Sequence, residues 1–149
     1  MSTRVSVDLT VLLSQKEAAI AIFGKDEFDD AWLVENRQCL TFHEISNGQL
    51  RFLPKLEAAG IAYDAVCEAS SEWSSCHDSC RFTPEGESIT KELSEAYNNP
   101  SMHELMQLLD KPDVLITYIK DHAEKRFVLP WDNQEQYGKL YRTRQLIGA

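Results

Sequence analysis

Apolar and polar residues alternate most regularly near the start of the chain, where Val5, Val7, Leu9 and Val11 are separated by Ser6, Asp8 and Thr10. A two-residue period puts the four apolar side chains on one face of a strand, read here as 4–13. The period then lengthens. Ala18, Ala19, Ile22 and Phe23 recur at helical spacing behind Ser14-Gln15-Lys16-Glu17, which has the form of a capping box, and Gly24 ends the helix expected over 15–23. An acidic connection carrying one aromatic, Lys25-Asp26-Glu27-Phe28-Asp29-Asp30, leads into Ala31-Trp32-Leu33-Val34. Those four apolar residues fit either a helical turn or a brief strand.

The densest structural signals lie in 39–93. Cys39 to Ser46 has the β-branched and aromatic content of a strand, and Asn47-Gly48 breaks it. Leu50, Leu53 and Leu56, with Phe52 and Ala59, give a helix over 50–60; Pro54 confines its start and Gly60 closes it. Ile61, Tyr63, Ala65 and Cys67 alternate with Ala62, Asp64 and Val66, so a strand over 61–68 follows at once. Strand, short helix and strand with tight connections predict a right-handed βαβ unit. After a polar stretch from Glu68 to Asp78, a strand over 79–84 reaches Thr83-Pro84-Glu85-Gly86, a hairpin turn by composition. Ile89 and Leu93 then fit a third antiparallel strand over 87–93 or a short helix over 87–96.

The last third reads as helical. Ser101 to Glu104 has capping spacing, and Met102, Leu105, Met106 and Leu109 form a stripe that Lys111-Pro112 ends. Val114, Leu115, Tyr118, Ile119 and His122 favour a second helix over a strand, because they do not alternate cleanly. Phe127-Val128-Leu129-Pro130-Trp131 is an apolar tether, and Asp132 to Glu135 offers a cap for a final helix bearing Tyr137, Leu140 and Tyr141. The expected fold is α+β in one domain over 1–149. It is a mainly antiparallel sheet of four or five strands with a βαβ unit, ferredoxin-like or related, and a helical C-terminal third. Its expected core is Val7, Leu9, Leu40, Phe42, Leu53, Leu56, Ile61, Tyr63 and Phe82.

Charge changes the functional picture. Lys139, Arg142 and Arg144 stand in the last eleven residues without an acid, so the rest of the chain sets 12 basic against 24 acidic groups and the net charge is −9. Such a body repels phosphate backbones and membrane surfaces, which argues against direct nucleic-acid or membrane binding. No apolar run approaches the roughly 20 residues of a membrane span. Met1-Ser2-Thr3-Arg4 leads into a strand without a secretory pattern, so a cytoplasmic setting with reduced thiols is expected.

Candidate chemistry is sparse. Cys67, Cys76, His77 and Cys80 form the only cluster with metal-ligand residue types, alongside Cys39 and His43. Residues four apart in a strand are about 13 Å apart. Zinc ligands converge to about 2.3 Å of one ion, so the set works only if 75–80 is a tight turn. His77 points away from Cys76 in a strand and is badly placed as its base. No nucleophile elbow or phosphate loop is present, and no cofactor is implied. Two acidic stretches with one aromatic each remain, Asp26, Phe28, Asp29 and Asp30 in the first, Glu68, Glu72, Trp73 and Asp78 in the second. Acids as rim and an aromatic as anchor suit a protein-binding edge. The expectation is therefore an acidic interaction protein that binds, and inhibits, a more basic partner such as a nucleic-acid-binding or host-defence protein, in the manner of phage- or plasmid-type accessory factors. The alternatives are a small enzyme with a Cys/His site and a zinc-stabilised adaptor.

Overall fold

A computed structural model describes residues 4–46, 48–67, 76–93 and 101–148, with backbone alone at Arg4, Ser46 and Cys76. The strands are β1 (Arg4–Leu12), β2 (Asp30–Val34), β3 (Arg37–Ser46), β4 (Tyr63–Cys67), β5 (Cys76–Phe82) and β6 (Ser88–Glu92). The helices among the described residues are α1 (Lys16–Phe23), α2 (Leu53–Ala58), α3 (Met102–Gln107), α4 (Pro112–Arg126) and α5 (Gln134–Ile147), with a 3-10 turn at Leu13–Gln15 before α1. The six strands form one sheet in the order β2-β3-β1-β4-β5-β6, and every neighbouring pair is antiparallel. The class is α+β, as the periodicities predict.

One expectation about the sheet is corrected. It has six strands, not four or five, because Asp30–Val34 is a strand, paired with β3 from Asp30↔Thr41 to Val34↔Arg37. Strand β1 lies between β3 and β4 and runs antiparallel to both. The helix α2 therefore joins two strands of like direction across a third. The physical reason is β1 itself. With Val7, Leu9 and Val11 all buried, it is the strand that profits most from a central position.

The core lies on one face of the sheet. Val7, Leu9 and Val11 meet Leu40 and Phe42 of β3, Tyr63, Ala65 and Cys67 of β4, and Cys80 and Phe82 of β5, while Ala19 of α1 and Leu56 of α2 close over them. Leu53 packs against this cluster only half-buried. The opposite face is polar. There Thr41 Oγ1 donates to Asp8 at 2.8 Å, Thr10 Oγ1 meets Cys39 Sγ at 3.4 Å and Ser6 Oγ meets His43 Nδ1 at 2.7 Å, three cross-strand rungs between β1 and β3.

Helix ends follow local chemistry only in part. Ser101 caps α3 by accepting from the Glu104 amide at 3.4 Å, as its spacing predicts. The capping box at 14–17 does not form: Gln15 makes no side-chain cap, is buried, and donates its amide to the Gly60 carbonyl at 3.2 Å. Nor does Asp132 to Glu135 cap α5. Asn133 sits left-handed at φ +61° without a side-chain cap, and Gln134 is buried. Its amide accepts from the Phe82 N–H at 2.7 Å and donates to the Phe82 carbonyl at 3.0 Å. Strand β4 begins at Tyr63, opposite Cys80, so Phe82 has no strand residue on that side. The side chain of Gln134 supplies what a peptide group would.

This seat brings α5 so close to the turn after α2 that a Cβ at Gly138 would stand 1.9 Å from the Gly60 carbonyl oxygen. Neither glycine has room for a side chain. By contrast α3 and α4 contain no buried residue, and Met102, Met106, Leu109, Ile116 and Ile119 are exposed. No helix among the described residues is long and apolar enough to cross a membrane.

Candidate interaction edge

Strand β2 is the outer strand at one end of the sheet, and all five of its residues are exposed. Trp32, Leu33 and Val34 are 41%, 60% and 42% exposed. The strand is held from inside. A two-residue turn, Glu35-Asn36, joins it to β3 with Glu35 at φ +55°, and the Asn36 carbonyl accepts from Leu13 N–H at 2.8 Å. Buried Gln38 donates to the Trp32 carbonyl at 3.0 Å. Among the described residues no strand pairs with its other side, which leaves a row of backbone donors and acceptors for water or a partner.

The acidic connection runs into the start of this strand. Asp26, Glu27, Asp29 and Asp30 are exposed. Two of their carboxylates also brace the backbone: Asp29 accepts from the His43 N–H at 2.8 Å, and Asp30 from the Ala31 N–H at 2.9 Å. Phe28, read from the sequence as an anchor, turns inward instead. It is half-buried, with ring centroids 6.3 Å from Phe23 and 6.5 Å from Phe42 in edge-to-face contact. The exposed apolar side chains beside the acids are those of β2.

The second acidic stretch divides. Glu68, Glu72 and Trp73 lie outside the described residues. Asp78 is not on a loop: β5 begins at Cys76, and Asp78 is a half-buried strand residue opposite Glu92. Burial, and then the Glu92 charge, raise its carboxyl above the ordinary aspartate value.

The cysteine–histidine set does not converge. Cys67 and Cys80 are buried on the core face, where burial, and then the Glu57 charge, push the Cys80 thiol up to about 12. That opposes formation of the thiolate a nucleophile or ligand needs. Cys76 is the register partner of Cys67, and 76–80 is extended, so the tight turn a zinc site requires is not there. His77, by strand alternation, faces the other way. Its Nε2 lies 3.6 Å from Asp64 Oδ1, and Asp64 Oδ2 accepts from Arg81 at 2.9 Å. Desolvation raises the Asp64 carboxyl, but the adjacent His77 ring and the hydrogen bond and charge of Arg81 outweigh it, and the net shift is downward. Among the described residues no three His, Cys, Asp or Glu side chains gather as metal ligands.

Sequence reasoning missed Arg81. Nearly fully buried, it donates to the carbonyls of Leu129, Tyr63 and Cys80, and its guanidinium lies 3.8 Å over the Trp131 ring. It clamps the apolar tether to the polar face of the sheet. An arginine inside a strand pattern, 50 residues before the tether's Trp131, gives no local sign of this. The basic strip of the last helix is likewise occupied in part, with Lys139 paired to Glu135 at 3.5 Å and Arg144 donating to the Glu85 carbonyl.

No family model matches the chain, and no curated protein or solved structure matches it.

Proposed function

We propose that this chain is an acidic interaction protein that binds a more basic protein by adding one of that partner's extended segments to the β2 edge, and that it inhibits the partner where the captured segment is functional. One observation carries the reading: an outer strand exposed along its whole length, apolar at Trp32, Leu33 and Val34, stands directly after exposed Asp26, Asp29 and Asp30. Main-chain pairing supplies affinity in such a mode, alternate side chains supply selectivity, and opposite charge speeds encounter. The net charge of −9 disfavours nucleic acid itself as the ligand. We read β1 to β4, in the order β2-β3-β1-β4 with α1 and α2 as crossings, as a ferredoxin-like unit extended by the β5–β6 hairpin; the strand order supports this. A cytoplasmic setting accords with the free thiols of Cys39, Cys67 and Cys80.

A displayed library of extended peptides tests the function. The chain should enrich peptides that are basic and alternate apolar residues, with binding that weakens as salt rises. Leu33→Lys/Val34→Lys should lose them, and Asp26→Asn/Asp30→Asn should flatten the salt dependence. Enrichment of neutral or acidic peptides, or equal binding by the Lys variant, would overturn the proposal.

A further inference from the structure

A groove of about 610 Å3 lies between the end of β3, α1 and the segment entering α2. Its floor is aromatic. Phe23, Phe42 and Phe52 are in mutual contact, with centroid separations of 5.3 Å for Phe23–Phe42, 4.8 Å for Phe23–Phe52 and 5.4 Å for Phe42–Phe52. Phe42 is buried, while the other two rings are part-exposed to the groove. The volume is that of an ordinary small-molecule site, which is typically apolar with a few placed polar groups.

The rim carries both signs of charge, from different elements. Arg51 and Lys55, four residues apart, come from the α2 side, and Glu27 comes from the connection after α1. These three side chains are exposed and form no ion pair among the described residues. A third wall is a β-bulge. Between Val5↔Ile45 and Val7↔Phe42, the single residue Ser6 faces both His43 and Glu44, and Glu44 adopts φ +56°. Bulges re-aim side chains, and left-handed non-glycine residues concentrate where a structure uses them. Here the bulge brings residues 43 and 44 to the groove rim, while the His43 ring turns to Ser6 on the polar face of the sheet.

Glu27 on one side and Arg51 and Lys55 on the other present both signs of charge, so the groove does not select a simple ion of either sign. A lone anion also meets the repulsion of a chain with net charge −9, and a lone cation meets Arg51 and Lys55. A flat apolar body carrying an anion and a cation at one end satisfies the floor and both walls together. We propose that this groove binds a free α-amino acid with an aromatic side chain, its ring on Phe23 and Phe52, its carboxylate toward Arg51 and Lys55 and its ammonium toward Glu27. The site is independent of the edge proposed above, and either can fail without the other.

Calorimetric titration of the full chain with L-phenylalanine, 3-phenylpropionate and 2-phenylethylamine tests it, since the last two each lack one charge. Phenylalanine should bind tightest, and each analogue about tenfold more weakly, the worth of one charge-assisted contact. Arg51→Gln/Lys55→Gln should weaken phenylalanine and phenylpropionate but not phenylethylamine. Glu27→Gln should weaken phenylalanine and phenylethylamine but not phenylpropionate. All three substituted positions are exposed, and unchanged circular dichroism would confirm folding. Absence of saturable phenylalanine binding at about 10 mM would overturn the proposal, since that lies beyond the weak end of useful affinity. So would an analogue binding as tightly as phenylalanine, or affinities indifferent to the substitutions.

Discussion

The two outer strands of the sheet solve the same problem differently. At one end β6, Ser88-Ile89-Thr90-Lys91-Glu92, carries both charges in five residues. Lys91 also reaches over to donate to the carbonyls of Glu124 at 2.6 Å and Phe127 at 2.5 Å, which straps the end of α4 across that side. At the other end β2 has no charge from Ala31 to Val34 and, among the described residues, no strap. Charged residues and coverings are what proteins place on edges to prevent pairing with other chains. Exposure is thus shared by both edges, and chemistry separates them. Among the described residues, one edge is charged and strapped and the other is apolar.

The largest test is on the closed side. Arg81→Met removes the guanidinium that holds Asp64, Leu129 and Trp131, leaving a half-buried carboxylate with only the more distant His77 beside it; it should cost about 3–5 kcal/mol in urea unfolding. A loss below about 1 kcal/mol would mean that the tether is held by other contacts. Next is acid. The Asp64 carboxyl is held below its usual range, so the stability it contributes is complete above the unfolded value of about 3.9 and is lost as pH falls through the lower folded one. Asp64→Asn should erase that stretch of the stability–pH curve, and an unchanged acid limb would show that other groups dominate it.

Smaller effects separate the edges directly. Lys91→Ala should cost about 1 kcal/mol, since its bonds are part-exposed, and should speed proteolysis within α4 without touching β2. Leu33→Lys gives β2 the charge that β6 already has. Its stability should shift by less than about 0.5 kcal/mol while resistance to self-association on heating rises. A large stability loss would mean that Leu33 is not a free edge residue. Smallest is Asp78→Asn. Because burial and Glu92 raise that carboxyl, its ionisation opposes folding at neutral pH, and the amide should stabilise slightly at pH 7 and not at all below pH ~3, where both forms are neutral.

What was legible in the chain was what has a period. Strand β1, α1, β3, α2, β4, the helices at 102–107 and 112–126 and nearly all of the core follow from alternation or helical spacing. Strand β2 was ambiguous because its apolar run has no period and its turn, Glu35-Asn36, lacks the glycine that usually announces a two-residue hairpin. The start of β5 was hidden because Asp78 interrupts the apolar alternation of Cys80 and Phe82. Strand order is a long-range choice, decided by which strand is buried, and no local segment states it. Of the candidate edge, the acids at 26–30 were readable from composition. The inward turn of Phe28 was not, since it depends on Phe23 and Phe42 arriving from elsewhere. The buried amides of Gln15 and Gln134 each satisfy a distant backbone group, so the capping patterns around them misled.

Gln134 has a consequence for how the chain is made. The N–H and C=O of Phe82 wait for a side chain 52 residues downstream. All six strands have left the ribosome long before that residue does, yet the core-side end of β5 stays open to water until α5 arrives. The helix then has one seat, because the backbones of Gly60 and Gly138 fit together only if both positions are bare. Completion of this end of the sheet therefore waits on a latch. A chain that stops short of residue 134 would carry every strand and still lack a finished sheet.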